Sequence, residues 1–396
     1  AEKLSIFLAC ALPAGIIILG RAGIWLKTRQ IPKEFIWVLL ISIFGLLSCL
    51  QSENQEASLK SMGLFIASGP LVFFVANNLF KPKKNKESYL WMTSLSLLGL
   101  AFWGIYEHFS LGIVYLFSRN PLPAGTLLIL FSIGPLILLN RPNMMLAKFT
   151  LALILFSSMF LIILMAKKSH LLGLMVFFIT LMIFNFRKYY KFFMGLILLI
   201  VIALFSSDSL RLKNENLINL SSQLTALSSA NSEVLNHKLP LAIYGSIPLR
   251  VENYFFGLHV IKKKPTWGLG FKAKLDSYFA DYNIRLVKFF SKEHYLEYIQ
   301  SQNAFENIIL TYLIEWGAIF CIIYFGGIAY IAILHFKESK IPLINEMDGI
   351  FVFAIIISFS AMSLTFDTLR FPSINWVFHT LLGLLVNIPE KYQVEQ

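Results

Sequence analysis

Charge is scarce in this sequence. Only 14% of its 396 residues are Asp, Glu, Lys or Arg, against about 25% in an ordinary soluble domain. That shortage, with 57% hydrophobic residues and 37 Phe, excludes a water-soluble enzyme and a disordered chain. Cysteine is also scarce. Cys10, Cys49 and Cys321 lie in apolar stretches, which excludes a disulfide framework and a thiolate metal site. The Walker lysine loop, HExxH, CxxC and GxSxG are missing, so the common soluble chemistries have no signature here. Gly268-Leu269-Gly270 lacks the third glycine and the preceding strand that a dinucleotide loop needs. Neither a metal nor a cofactor is expected.

What the chain has is apolar length. Runs long enough to cross a bilayer fall near 4–20, 35–50, 61–80, 89–106, 125–140, 149–166, 171–186, 192–206, 307–336, 349–365 and 375–388. The fold class is therefore all-α: a polytopic membrane protein of 11 or 12 spans. The first run begins almost at residue 1, with no small-residue cleavage site before a soluble body, and reads as a first span or signal-anchor. Loops 21–34, 81–88, 141–148, 187–191, 337–348 and 389–396 hold 16 Lys or Arg, and the opposite short loops hold 5. Positive charge collects on the cytoplasmic side, so the first set is expected inside. The net charge of +12 is then explained by topology, and nucleic acid is not an expected partner.

The chain divides into N-terminal spans (1–206), one long extracytoplasmic loop (207–306) and C-terminal spans (307–396). The long loop holds 12 Lys or Arg, and long loops escape the positive-inside rule, so that charge is available for function. Tyr254, Phe255, Leu258 and Ile261 recur at helical spacing, until Pro265 and Gly268-Leu269-Gly270 interrupt them. A mostly helical cap on the outer membrane surface is expected.

Polar residues gather at outer span ends: Arg119 and Asn120, His170 after Lys167-Lys168-Ser169, Arg250, Glu306-Asn307, and Asp367 with Arg370. Cations converging on one membrane face suit an anion, and Arg grips a diphosphate through paired donors. An acid at the re-entry point suits a general base. Each has a plainer reading beside it. Arg250 also fits a helix cap or a headgroup contact, and His170 a snorkelling side chain. Glu306 also fits a carboxylate complementing a helix dipole. Asp367 and Arg370, three residues apart, also fit a structural ion pair, and Lys262 to Lys264 a solvated run.

Arg250, the following helix, Pro265 and Gly268-Leu269-Gly270-Phe271 together resemble the signature of the bacterial O-antigen ligase and O-antigen polymerase superfamily. Glu306-Asn307 before a span carrying Glu315 and Gly317 resembles a second segment of it. Lys168-Ser169-His170, Arg119-Asn120-Pro121 and Asp367 to Pro372 have counterparts in order. The resemblance covers about 89–388.

It implies a GT-C type membrane glycosyltransferase acting on an undecaprenyl-diphosphate-linked glycan at the periplasmic face of the bacterial inner membrane. Inversion and metal independence come with it. By that resemblance Arg250 and His170 hold the diphosphate, with Arg119 and Arg370, and Glu306 activates the acceptor hydroxyl. Asn307, Gln302 and Asn303 share the substrate-binding face. Two positions depart from the family: His170 stands where it usually has Arg, and Glu306 where ligases have His. The second departure favours a polymerase of lipid-linked repeat units over a ligase that transfers the glycan to lipid A-core. A flippase is the rival from another class, against which the lack of halves related by repeats counts; a non-catalytic assembly protein is a third. Expected partners are the lipid-linked glycan and membrane lipid, with a chain-length regulator as a further candidate.

Overall fold

A computed structural model describes residues 15–16, 33–111, 114, 121–139, 145–165, 168–206, 247–271, 273, 275–284, 295–296, 299, 305–338 and 346–387. The expected run 4–20 lies almost wholly outside the described residues. The helices are α1 (Lys33–Leu50), α2 (Gln55–Ser68), α3 (Pro70–Leu79), α4 (Lys83–Leu111), α5 (Pro121–Phe131), α6 (Ile133–Leu138) and α7 (Met145–Leu164). They continue with α8 (Lys168–Ser206), α9 (Ile247–Lys263), α10 (Asp276–Ala280), α11 (Ile308–Glu338), α12 (Glu346–Ser363) and α13 (Pro372–Asn387). No strand occurs among the described residues. Among the described residues, four apolar segments are long enough to cross a membrane, Gln55–Leu79, Lys84–Leu111, Ala147–Leu164 and Ile308–Ile333, and five shorter apolar helices accompany them. Large side chains such as Phe102, Phe109, Phe149 and Ile183 stand exposed, as they must where the solvent is lipid. The chain is an all-α, multi-pass membrane protein.

Local chemistry breaks several expected spans. The run 61–80 splits at Gly69, and Pro70 opens α3 at a first-turn position that needs no N–H. The run 125–140 splits at Ser132. The opposite happens at 187–191, expected as a cytoplasmic loop, because α8 passes through it as helix. No Gly or Pro lies between 174 and 194 to stop it. A straight helix of 39 residues would measure about 58 Å, nearly twice the hydrocarbon thickness. Yet Gly195 lies against Phe156 in the middle of α7. α8 must therefore bend back on itself, so two membrane-depth arms remain without a loop between them.

Two hydrophobic cores result. The larger binds the spans through Phe65, Tyr312, Trp316, Phe320 and Tyr324. The smaller joins Phe256, Val260, Leu269, Tyr278, Phe279, Tyr282 and Phe305 to Leu310 and Ile314 of α11. α9 is helical as expected, and Phe255 and Ile261 of that spacing pack partly buried against the smaller core. Glu252, Asn253, Phe256 and Val260 are buried, while Tyr254 and Leu258 are exposed. The helix is apolar on two sides, and spacing alone does not choose between them. Two of the buried polar side chains are tied to the cap: Tyr282 donates to Glu252, and Tyr295 donates to Asn253 Oδ1 at 2.9 Å.

Candidate active site

The site is organised by a break in α11. Gly317 has φ 81° and ψ 174° inside the helix, a conformation open essentially to glycine. The break exposes carbonyls and amides that cannot stay unpaired in an apolar setting. The Pro265–Gly270 segment supplies their partners. Leu269 N–H donates to the Ile314 carbonyl at 2.7 Å and Gly270 N–H to that of Glu315 at 2.8 Å, while Ala318 N–H donates to the Pro265 carbonyl at 2.9 Å. Close approach requires the glycines. A Cβ on Gly268 would lie 2.7 Å from the Glu315 carbonyl, and one on Gly270 would overlap Ser52. Ser48 clasps the same segment from α1, its hydroxyl donating to the Trp267 carbonyl at 2.6 Å. The Gly-Leu-Gly motif is therefore a wedge that completes a broken span and fixes the cap upon it.

Two Arg–Glu pairs flank the wedge. Arg250 of α9 donates from Nε to Glu306 Oε2 at 2.7 Å, and each side chain is 30% exposed. Arg370, from the turn between α12 and α13, donates to Glu315 of α11, with side chains 20% and 8% exposed. Phe271, just past the wedge, covers the Arg370 guanidinium at 5.5 Å.

Asp367 lies between the pairs and is buried. It accepts from the Thr311 hydroxyl at 3.0 Å and from the backbone N–H of Glu306. Thr311 in turn accepts from Phe305 N–H at 3.3 Å. Burial pushes the Asp367 carboxyl up to about 6 against the pull of Arg370 and these hydrogen bonds; neighbouring Glu306 raises it further. Glu306 is the one non-glycine residue with positive φ among the described residues, at 52°. That left-handed backbone costs on the order of 1 kcal/mol and is held by Asp367 on one side and Arg250 on the other.

The structure thus brings Arg250, Glu306 and Arg370 to one end of the bundle. Asn307 joins them and also caps a helix. Its Oδ1 accepts from Leu310 N–H at 2.9 Å, capping α11, and its Nδ2 donates to the Tyr254 hydroxyl and the Leu364 carbonyl, both at 2.9 Å. His170 is not brought to the pair. It is fully buried, its Nε2 donates to the Leu122 carbonyl of α5 at 2.9 Å, and Gly125 makes room for the ring. The enclosed ring packs α8 against α5. Arg119, Gln302 and Asn303 fall outside the described residues. Of the basic run, Lys263 pairs with Asp281 at 2.8 Å and Lys264 with Glu53 at 3.7 Å. Burial, with Glu53 beside it, pushes the Tyr278 hydroxyl up to about 12.

Sequence reasoning assigns no role to Glu315, Thr311 or Tyr254. A signal for Glu315 exists: a lone acid inside an apolar run calls for a partner, and Arg370 stands in the outer loop before α13.

Residues 151–325 match the model of a family described as O-antigen ligase. That segment is similar to the O-antigen ligase family. It includes His170, Arg250, the Gly-Leu-Gly wedge, Glu306 and Glu315, while Asp367 and Arg370 lie beyond it. No curated protein matches the sequence.

Proposed function

We propose that this protein is a membrane glycosyltransferase of the O-antigen ligase family that polymerises undecaprenyl-diphosphate-linked repeat units at the periplasmic face of the bacterial inner membrane. The observation that carries the reading is the Arg250–Glu306 pair at 2.7 Å, a diphosphate-binding cation beside a carboxylate at a half-open span end. The N-terminus of α11 begins two residues after Glu306 and adds partial positive charge there.

In this reading Arg250 binds the diphosphate and stabilises the charge that grows on it as the leaving group departs. The acceptor hydroxyl oxygen bonds to the anomeric carbon while the bond from that carbon to the diphosphate oxygen breaks. The hydroxyl proton passes to Glu306. Attack opposite the leaving group inverts the anomeric centre. The acceptor is a second lipid-linked unit; a carboxylate in place of the ligase histidine is what favours this over transfer to lipid A-core. The wedge keeps cap and α11 in fixed register, so Arg250 and Glu306 meet with little reorganisation.

The test is polymer formation in cells and by purified protein given a lipid-linked repeat unit. Arg250→Ala should abolish the polymer ladder while the protein still inserts and unfolds at its usual temperature. A normal ladder from that variant overturns the proposal. Polymer that accumulates on the carrier when the gene is lost, untransferred to core, would instead support the ligase.

A further inference from the structure

The proposed chemistry asks two things of Glu306 that conflict in this structure. A base must offer a lone pair to the acceptor hydroxyl, but Oε2 already accepts from Arg250. Arg250 must offer its donors to the diphosphate, but its Nε is engaged by Glu306. We infer that Glu306 is a specificity gate as well as a base: its carboxylate occupies the anion site on Arg250 until a diphosphate displaces it, and the displacement frees it to take the acceptor proton. This rests on the reading of Arg250 as the diphosphate-binding residue.

Four features carry it. Both side chains are 30% exposed, and a pair in contact with water is weak, so a dianionic competitor can replace the carboxylate. The pair joins through Nε, so a diphosphate that reaches the terminal guanidinium nitrogens lies beside the carboxylate, and like-charge repulsion drives the carboxylate off. The Glu306 backbone is held in its left-handed conformation by Asp367, so the change is confined to the side-chain torsions and needs no lid. The Arg370–Glu315 pair is built the other way: Glu315 is 8% exposed, its backbone carbonyl holds the wedge and Phe271 covers its arginine. That pair is fixed, so the exchange belongs to Arg250 alone.

A gate of this kind sets a threshold. An anion must outcompete a carboxylate that is tethered in place and therefore present at high effective concentration. A diphosphate, with more charge and more acceptor oxygens, passes it; a monoester phosphate does so less well. The gate thus selects the diphosphate-linked donor over a prenyl monophosphate, and it keeps Glu306 from acting as a base when no donor is bound.

The experiment measures binding of farnesyl diphosphate and farnesyl phosphate to the purified full-length protein in nanodiscs, for wild type, Glu306→Gln, Glu306→Asp and Arg250→Ala. The gate predicts that Glu306→Gln binds both probes more tightly, by roughly fivefold, narrows the preference for the diphosphate and forms no polymer. Glu306→Asp, charged but shorter, should fall between the two. If Arg250→Ala binds farnesyl diphosphate as wild type does, with unchanged melting temperature, the diphosphate reading itself fails. If Arg250→Ala loses binding while Glu306→Gln binds no more tightly than wild type, the site stands and the gate is wrong.

Discussion

The two Arg–Glu pairs use the same groups and stand at the same end of the bundle, yet the chain builds them differently. Arg370–Glu315 is supported by a span on one side, the wedge below and Phe271 above, with side chains 20% and 8% exposed. Arg250–Glu306 joins the cap helix to a strained backbone, with 30% exposure on both sides. Burial decides what an ion pair is for. A buried carboxylate and guanidinium each lose several kcal/mol of hydration, so removing one partner strands the other, whereas an exposed pair can open and let water or a ligand in. In the proposed reading the first pair is a structural pin and the second is the exchangeable site.

The largest effect that would break this contrast is on stability. Glu315→Ala should destabilise the protein by about 3–5 kcal/mol, lowering folded yield and melting temperature in detergent. Glu306→Ala should cost about 1 kcal/mol or less, because the guanidinium it leaves behind is one that water can reach. Equal losses in the two variants would remove the distinction. Gly317→Ala comes next. Its φ of 81° and the Thr266 carbonyl beside it leave no room for a methyl group, and a loss of about 3 kcal/mol is expected. Gly326→Ala, in the same helix with open space around it, is the control and should change stability little.

Much of this is legible in the sequence because it is local. The apolar runs, the Pro265 to Phe271 motif and the acid at 306 each lie within a few residues, and periodicity or turn chemistry reports on them directly. The partners of those residues are less so. Arg250 reaches Glu306 across 56 positions, and Arg370 reaches Glu315 across 55; sequence places them on one membrane face but says nothing of which acid meets which base. The buried face of α9 escapes periodicity because the helix is apolar on both sides, one for the cap core and one left exposed. His170 looks interfacial from its place beside lysines, and only the space at Gly125 explains how it is buried. The break in α11 is hidden because hydropathy is blind to backbone angle: Gly317 sits in an unbroken apolar run, and its cause, the wedge, lies some fifty residues earlier.

Asp367 links the two pairs, and its titration sharpens the comparison. Its folded-state carboxyl stands at about 6 against an ordinary 3.8. Raised in the folded state, it holds a proton that the unfolded chain releases. The stability from that proton is therefore fully present below about pH 4 and is lost as pH rises through 6. The change should be on the order of 3 kcal/mol, since a tenfold difference in proton affinity corresponds to about 1.4 kcal/mol. Arg370, Glu306, Thr311 and Glu315 face the carboxyl. Melting temperatures between pH 4 and 7 should fall with rising pH in wild type and fall less steeply in Asp367→Asn. A melting temperature that rises over that range would mean Asp367 is ionised and stabilised by Arg370, and that the two pairs are coupled more tightly than burial implies.

Lys264–Glu53 extends the series to its exposed end. The pair is 3.7 Å apart with side chains 45% and 39% exposed, further open than Arg250–Glu306, and it lies on the rim of the cap, away from the strained backbone. If exposure is what ranks these pairs, Lys264→Ala should cost under about 0.5 kcal/mol and leave both probe binding and polymer length unchanged. The measurement is informative because it separates burial from location. All three pairs tie cap or turn residues to span-end acids, so a rank order that follows location would give Lys264→Ala a cost like that of Glu306→Ala. An order that follows solvent access gives three distinct values, and only the middle pair, open enough to exchange yet held by Asp367, has the properties a substrate anion can use.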